Sequence, residues 1–155
     1  MAGLAEVTAG AAKKALFVVD ASVVLKWFLI DREADVAKAL KLRDLFIAGD
    51  IGLTAPELIL HETANVIRYK PGADPGLVVR AIDSLWRMDL ISQIGPEHSR
   101  LAVALAFDVG ATVYDTLYLA LAESLKAKLV TADKKFYRQA EGRGPIMYLA
   151  DLLLE

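Results

Sequence analysis

Four acids spread along the chain, Asp20, Glu62, Asp115 and Asp133, are the side chains whose type and setting best suit them to chemistry. Asp20 follows the apolar run Leu16-Phe17-Val18-Val19, and Asp133 follows Leu129-Val130-Thr131-Ala132. Both runs read as strands buried on two faces. A lone carboxylate is expensive to desolvate, yet the carboxyl ends of strands in an open α/β sheet form the crevice where ligands bind. In a parallel sheet Asp20 and Asp133 emerge on one edge. Glu62 falls in the first two turns of the helix after the second strand, and Asp115 opens the helix leading to the fourth, which puts both near that edge. Carboxylates gathered in this way repel one another unless a cation lies between them. Ligation by oxygen alone, without Cys or His, suits Mg²⁺ or Mn²⁺ and not Zn²⁺. Two such ions can activate a water and stabilise the leaving oxygen of a phosphodiester.

Taken singly, each acid also has an ordinary reading. Asp20 and Asp133 can cap or turn the chain after their strands. Glu62 can be a solvated helical glutamate, and Asp115, three residues after Thr112, can close a capping box. His61 points about 100° away from Glu62 on the same helix, given ~3.6 residues per turn, so the two do not form one ligand face. His98 stands alone. Glu123 lies two turns beyond Asp115, roughly 12 Å along the axis, too far to share an ion. Trp27, Phe28, Trp86, Tyr114 and Tyr118 read as core or subunit-contact residues.

The elements that must position these groups alternate between strand and helix. After the first strand, Val23 to Ile30 is apolar and Asp31-Arg32-Glu33 marks an exposed turn. Val36 to Ile47 keeps helical spacing up to Gly49, and Ile51 to Ala55 is a second strand. Pro56 is expected to open the next helix, Glu57 to Tyr69. Asp74-Pro75 caps a helix with Leu77, Val78, Ala81, Ile82, Leu85 and Trp86 on one stripe. A third strand, Leu90 to Ile94, stops at Gly95-Pro96. Helices from Glu97 to Val109 and from Thr112 precede the fourth strand, Lys128 to Ala132. A basic helix, Lys134 to Glu141, and a last strand around Ile146-Met147-Tyr148 complete the pattern. Such alternation implies a three-layer α/β/α sandwich with a central parallel sheet and right-handed crossovers.

Bulk properties agree. The chain has 155 residues, enough for one domain with a real core. A hydrophobic fraction of 55% and a mean hydropathy of +0.39 argue for a buried fold and against disorder. The formal charge of −2, from 18 basic and 20 acidic residues, does not announce a nucleic-acid binder, but an acidic cluster can mask a basic surface elsewhere. The absence of cysteine fits a reducing cytoplasm. The longest apolar run, Leu16 to Ile30, is broken by Asp20 and Lys26 and is shorter than the roughly 20 residues of a membrane span. Residues 1–14 read as a mobile Ala/Gly leader and residues 15–155 as a single domain.

Val18-Val19-Asp20-Ala21-Ser22, Pro56-Glu57-Leu58 with Glu62-Thr63-Ala64-Asn65-Val66-Ile67, Thr112 through Glu123, and Leu129-Val130-Thr131-Ala132-Asp133 resemble, in order and spacing, the signature blocks of PIN domains. They are most similar to the VapC-type toxins of prokaryotic toxin–antitoxin pairs. The resemblance implies a metal-dependent endoribonuclease that takes RNA as substrate, a cognate VapB-like antitoxin as partner, and commonly a homodimer. It assigns the acidic tetrad to Asp20, Glu62, Asp115 and Asp133, with Mg²⁺ or Mn²⁺ as cofactor and Ser22 and Thr131 in support. Asp20 and Asp115 become central ligands, Glu62 shares their site or binds through water, and Asp133 completes a second or water-mediated site. Lys26, Lys134, Lys135 and Arg138 become candidates for holding the RNA backbone.

Other α/β chemistries fit less well. A phosphatase of the haloacid-dehalogenase type needs a second acid where Ser22 stands. A response-regulator receiver needs an acid after the third strand, where Ser92-Gln93-Ile94 offers none. No Gly-rich phosphate loop occurs. A PIN-like module that binds RNA or a partner without cutting is the remaining alternative.

Overall fold

The computed structural model describes residues 13–30 and 34–154. Most of the expected leader, residues 1–12, and the expected turn at 31–33 lie outside the described residues; Lys13 and Lys14 are exposed. The first half of the chain runs β1 (Leu16–Val19), α1 (Ala21–Phe28), α2 (Val36–Ile47), β2 (Gly52–Pro56), α3 (Leu58–Arg68), α4 (Pro75–Arg87) and β3 (Ile91–Ser92). The second half runs α5 (Pro96–Val109), α6 (Val113–Ser124), β4 (Lys128–Thr131), α7 (Lys134–Ala140) and β5 (Ile146–Tyr148), then a short 3-10 turn at Leu149–Asp151.

All five strands are parallel and lie in the order β3-β2-β1-β4-β5. β1 is therefore the innermost strand. Val18 pairs with Thr54 on one side and with Leu129 on the other. Val18, Val19, Leu129 and Val130 are fully buried, as expected for strands covered by helices on both faces. From β1 the chain winds outward to β3, then crosses back to β4 on the other flank of β1. The carboxyl ends of β1 and β4 thus border the topological switch point, where open sheets of this kind place their ligands.

Helix α1 is largely apolar, with Ser22 and Lys26 its polar members, and is enclosed, packing on α2, α3 and β4. The indole of Trp27 is buried there and donates to the Ala39 carbonyl of α2 at 2.9 Å. The same enclosure takes in Lys26, which is only 6% exposed. It does not lie on the surface with the other cations proposed for the RNA backbone. Between α5 and α6 the chain bends by 117°. Gly110 makes this possible by adopting φ +74, a left-handed value with no steric cost for glycine. Thr116 then fastens α6 to α5, its hydroxyl donating to the Ala102 carbonyl at 2.6 Å.

Two boundaries differ from expectation at the β3 edge. Pro56 ends β2 instead of opening α3. The β2–β3 ladder is already made by the Ala55 N–H, 3.0 Å from the Leu90 carbonyl, so a residue without an N–H is tolerated where the ladder finishes. The third strand keeps only Ile91 and Ser92, because an edge strand has a single neighbour to pair with. Among the described residues no single helix is long and apolar enough to cross a membrane.

Leu129 is fully buried on β4, paired with Val18 of the innermost strand, and Leu129→Ala should destabilise the fold by about 2–5 kcal/mol. The effect is read as a lower urea midpoint at unchanged slope. An unaltered midpoint would contradict the burial of β4 in the core.

Candidate active site

The carboxylates are positioned by the ends of four elements. Asp20 immediately follows β1 and is the N-cap of α1, its Oδ1 accepting from Ser22 N at 3.1 Å. Asp133 follows β4 by one residue and caps α7, with Oδ1 accepting from Phe136 N at 3.1 Å. Asp115 sits in the first turn of α6, where its own N–H donates to Thr112 Oγ1 at 3.1 Å. Glu62 projects from α3 and accepts a hydrogen bond from the Tyr118 hydroxyl at 2.7 Å. The capping roles open to Asp20 and Asp133 are therefore real, and Thr112 supplies half of a capping box. They do not turn the acids apart.

Electrostatics ties the four together. Burial pushes the Asp20 carboxyl up to about 7; the Ser22 and Thr131 hydroxyls oppose the rise, and Asp115 and Glu62 add to it. Glu62 is raised by its own burial and by Asp115, against the Tyr118 hydrogen bond. Asp115 is raised by burial and by Asp133, against Thr112 and the neighbouring Lys135 ammonium. Asp20 is 6% exposed, Glu62 and Asp115 are half-buried, and Asp133 is exposed. The crevice thus grades from a dry floor at Asp20 to a wet rim at Asp133.

Ser22 and Thr131 join the two strand ends that border the floor. The Ser22 hydroxyl donates to Asp20 Oδ1 and accepts from Ala132 N at 2.8 Å, and it lies 3.4 Å from Thr131 Oγ1. Thr131 Oγ1 in turn accepts from Asp133 N at 3.1 Å. A continuous path of hydroxyls and amides therefore runs from Asp20 to Asp133.

The chemistry of the donor set fits a divalent cation. It is all oxygen, it carries excess negative charge at close quarters, and its innermost member is driven towards protonation when no cation is near. These properties fit a hard cation. Among the described residues no three acids or histidines close into a ready cation cage.

Other sequence candidates divide clearly. Lys134, Lys135 and Arg138 are exposed on α7 beside Asp133. His98 is structural, with Nδ1 accepting from Gly95 N at 2.9 Å and Nε2 3.0 Å from Ser124 Oγ. Glu123 is exposed at the far end of α6. Tyr118 is the residue that sequence reasoning placed in the core without a further role. Its ring is buried as expected, but its hydroxyl fixes Glu62. Burial and the surrounding carboxylates raise its pKa, so it stays a proton donor. The signal was available in its spacing: Asp115 and Tyr118 are three residues apart and share a helix face.

Asp20 imposes a pH dependence on the metal-free protein. The unfolded chain loses this proton near the ordinary 3.8 and the folded chain near 7. The folded state therefore holds more protons across that window, and stability falls as pH rises from about 4 to about 7, then levels off. The penalty above that range is on the order of 4 kcal/mol. Asp20→Asn keeps the cap and removes the charge. In EDTA it should melt higher than wild type at about pH 8 and differ little at about pH 4. A lower melting temperature at the higher pH would show that the carboxylate stabilises the metal-free fold.

A family model for the PIN domain matches residues 17–142. No curated protein matches the chain. Among solved structures, PAE2754 from Pyrobaculum aerophilum is similar at 20% identity and a TM-score of 0.62, over 89% of this chain and 93% of that one. A toxin–antitoxin complex from Klebsiella pneumoniae is similar at 17% identity and a TM-score of 0.57, over 88% and 98%. VapBC-5 of Mycobacterium tuberculosis, a member of the VapBC family of toxin–antitoxin systems, is similar at 16% identity and a TM-score of 0.54, over 86% and 97%. At these identities the structures speak for a shared fold.

Proposed function

The chain belongs to the PIN domain family, and on that premise we propose that it is a Mg²⁺- or Mn²⁺-dependent endoribonuclease acting as the toxin of a toxin–antitoxin pair. The family is generally one of nucleases and generally uses divalent metal ions. The observation that carries the reading is the convergence of carboxylates from β1, α3 and α6 on a nearly dry Asp20, whose carboxyl is raised chiefly by burial and further by Asp115 and Glu62. Such an arrangement is costly to the fold and is relieved by a cation.

In this reading Asp20 and Asp115 hold the ion directly. Glu62, oriented by Tyr118, and Asp133, on the wet rim, hold it directly or through water. The ion, when bound, supplies an activated water and charge stabilisation for the leaving oxygen of the phosphodiester. The chain's own groups do the rest. Ser22 and Thr131 keep Asp20 oriented and favour its ionised form. Lys134, Lys135 and Arg138 attract the phosphate backbone to the rim. No histidine stands among the acids, so protons released at the site pass to carboxylate or solvent.

Toxin–antitoxin complexes among the structural neighbours support a VapB-like antitoxin as partner. Homodimerisation, action in the cytoplasm, and a single functional domain over 15–155 preceded by a leader at 1–14 belong to the same proposal.

The decisive measurement is cleavage of single-stranded RNA with Mg²⁺ or Mn²⁺ and with EDTA. Wild type should cut only with metal. Asp115→Asn should lower the rate about a hundredfold or more, since metal-ion catalysis contributes several kcal/mol, while circular dichroism stays unchanged. Cutting at the wild-type rate by that variant would remove Asp115 from the site. A metal-loaded wild type that binds RNA without cutting would favour the non-catalytic module.

Tyr118→Phe removes the donor that holds Glu62. It should weaken metal affinity roughly tenfold or more, seen as a shifted Mn²⁺ titration of activity that high metal restores. An unshifted titration would make Tyr118 a packing residue only.

A further inference from the structure

A cavity of about 610 Å³ opens on the β3 side of the carboxylates. Leu58 in its wall stands one turn before Glu62 on α3, about 6 Å away between Cβ atoms. Leu117, also in the wall, directly precedes Tyr118, the donor to Glu62. The cavity therefore meets the acidic crevice at Leu58 and Leu117, while Trp86 and Asp89 line its far side at the amino end of β3, and none of the four acids lines it.

Its lining has a definite chemistry. Trp86 offers a broad indole face that is 51% exposed, whereas Trp27, the other tryptophan, is 5% exposed and spent in the core. Gln93 brings an exposed amide just beyond β3, the Ser92 hydroxyl is shared with Thr54 Oγ1, and Asp89 brings a carboxylate. Asp89 takes φ +53 at the turn from α4 to β3, a conformation that aspartate tolerates better than most residues. No lysine or arginine is among the described residues that line the cavity, and two carboxylates, Glu57 and Asp89, are.

That balance excludes a phosphate, which would meet like charge on both sides. A flat neutral heterocycle with N–H donors on its edge meets the opposite: an aromatic face to stack on and carboxylate oxygens to receive its donors. This is how unstacked bases of single-stranded RNA are held. We infer that the cavity receives a nucleobase of the substrate next to the bond that is cut, with guanine preferred. Guanine alone presents an adjacent ring N–H and amino group, which together match one carboxylate in a paired, charge-assisted contact. The inference rests on RNA being the substrate.

Two measurements test it separately from that premise. In the first, Trp86 fluorescence of the full-length, metal-free protein is titrated with each ribonucleoside. Guanosine should quench it most strongly. The quench should vanish in Trp86→Ala and weaken about tenfold in Asp89→Asn, which suits the same backbone conformation. In the second, the cut sites in an RNA of mixed sequence are mapped with Mn²⁺. Wild type should favour sites flanked by guanine, and both variants should lose that preference. Stacking on an aromatic ring contributes enough that Trp86→Ala should also raise KM roughly tenfold. A guanosine quench together with a shared loss of preference upholds the proposal. Absence of any quench overturns it, as does an identical cleavage pattern in all three proteins. If wild type cuts no RNA, the nuclease reading fails and the fluorescence titration alone decides the cavity. A concentration-dependent change of mass in Trp86→Ala, with no quench in wild type, would assign the cavity to a subunit contact and also overturn the proposal.

Discussion

The molecule is organised around an unfavourable arrangement: a carboxylate at the end of the innermost strand, stripped of water and facing other carboxylates. The sheet order makes this unavoidable. β1 has a strand on each side and helices over both faces, so whatever follows Val19 emerges into the least hydrated part of the carboxyl edge. The fold tolerates Asp20 there by giving it the Ser22 amide and hydroxyl and the start of α1, whose dipole favours an anion. Those contacts lower the cost without removing it, and burial still holds the carboxyl's pKa up at about 7. The unrelieved part is what a cation can use.

The plan of the sheet edge also separates two kinds of recognition. Exposed cations on α7 lie beyond β4, while the indole-walled cavity lies beyond β2 at the opposite flank. The acids stand between them. On the proposed reading a strand of RNA crosses from a flank that attracts its phosphates to one that accepts its base, passing over Asp20 on the way. Neither flank alone has both chemistries.

Much of this was legible from residue order, for a physical reason. Strands buried on both faces are continuous apolar runs, so the acid that ends each one stands out at Asp20 and Asp133. The caps at Asp74 and Thr112 and the glycine at Gly110 likewise announce themselves through local chemistry. What escaped was set by packing between distant elements. Lys26 reads as a surface cation until α1 is enclosed by α2 and α3. The hydroxyl of Tyr118 finds Glu62 across 56 positions of chain; its spacing from Asp115 puts it on the acidic face but does not name that partner. Pro56 was misassigned because its usual place at the start of a helix competes with the end of a strand, and the ladder to β3 decided the matter.

On the proposed reading, the acids' double duty predicts a trace in lineages. At positions 20 and 133 the helices ask only for a side-chain oxygen that accepts from the next turn, and asparagine or serine meets that demand as well as aspartate. Selection for folding alone would let these positions wander among the three while still barring alanine and the aliphatic residues. A descendant freed from its chemistry would therefore keep its helices and its sheet but carry neutral caps at the two strand ends. The charge at those caps, more than their presence, is the part of the sequence that folding does not explain.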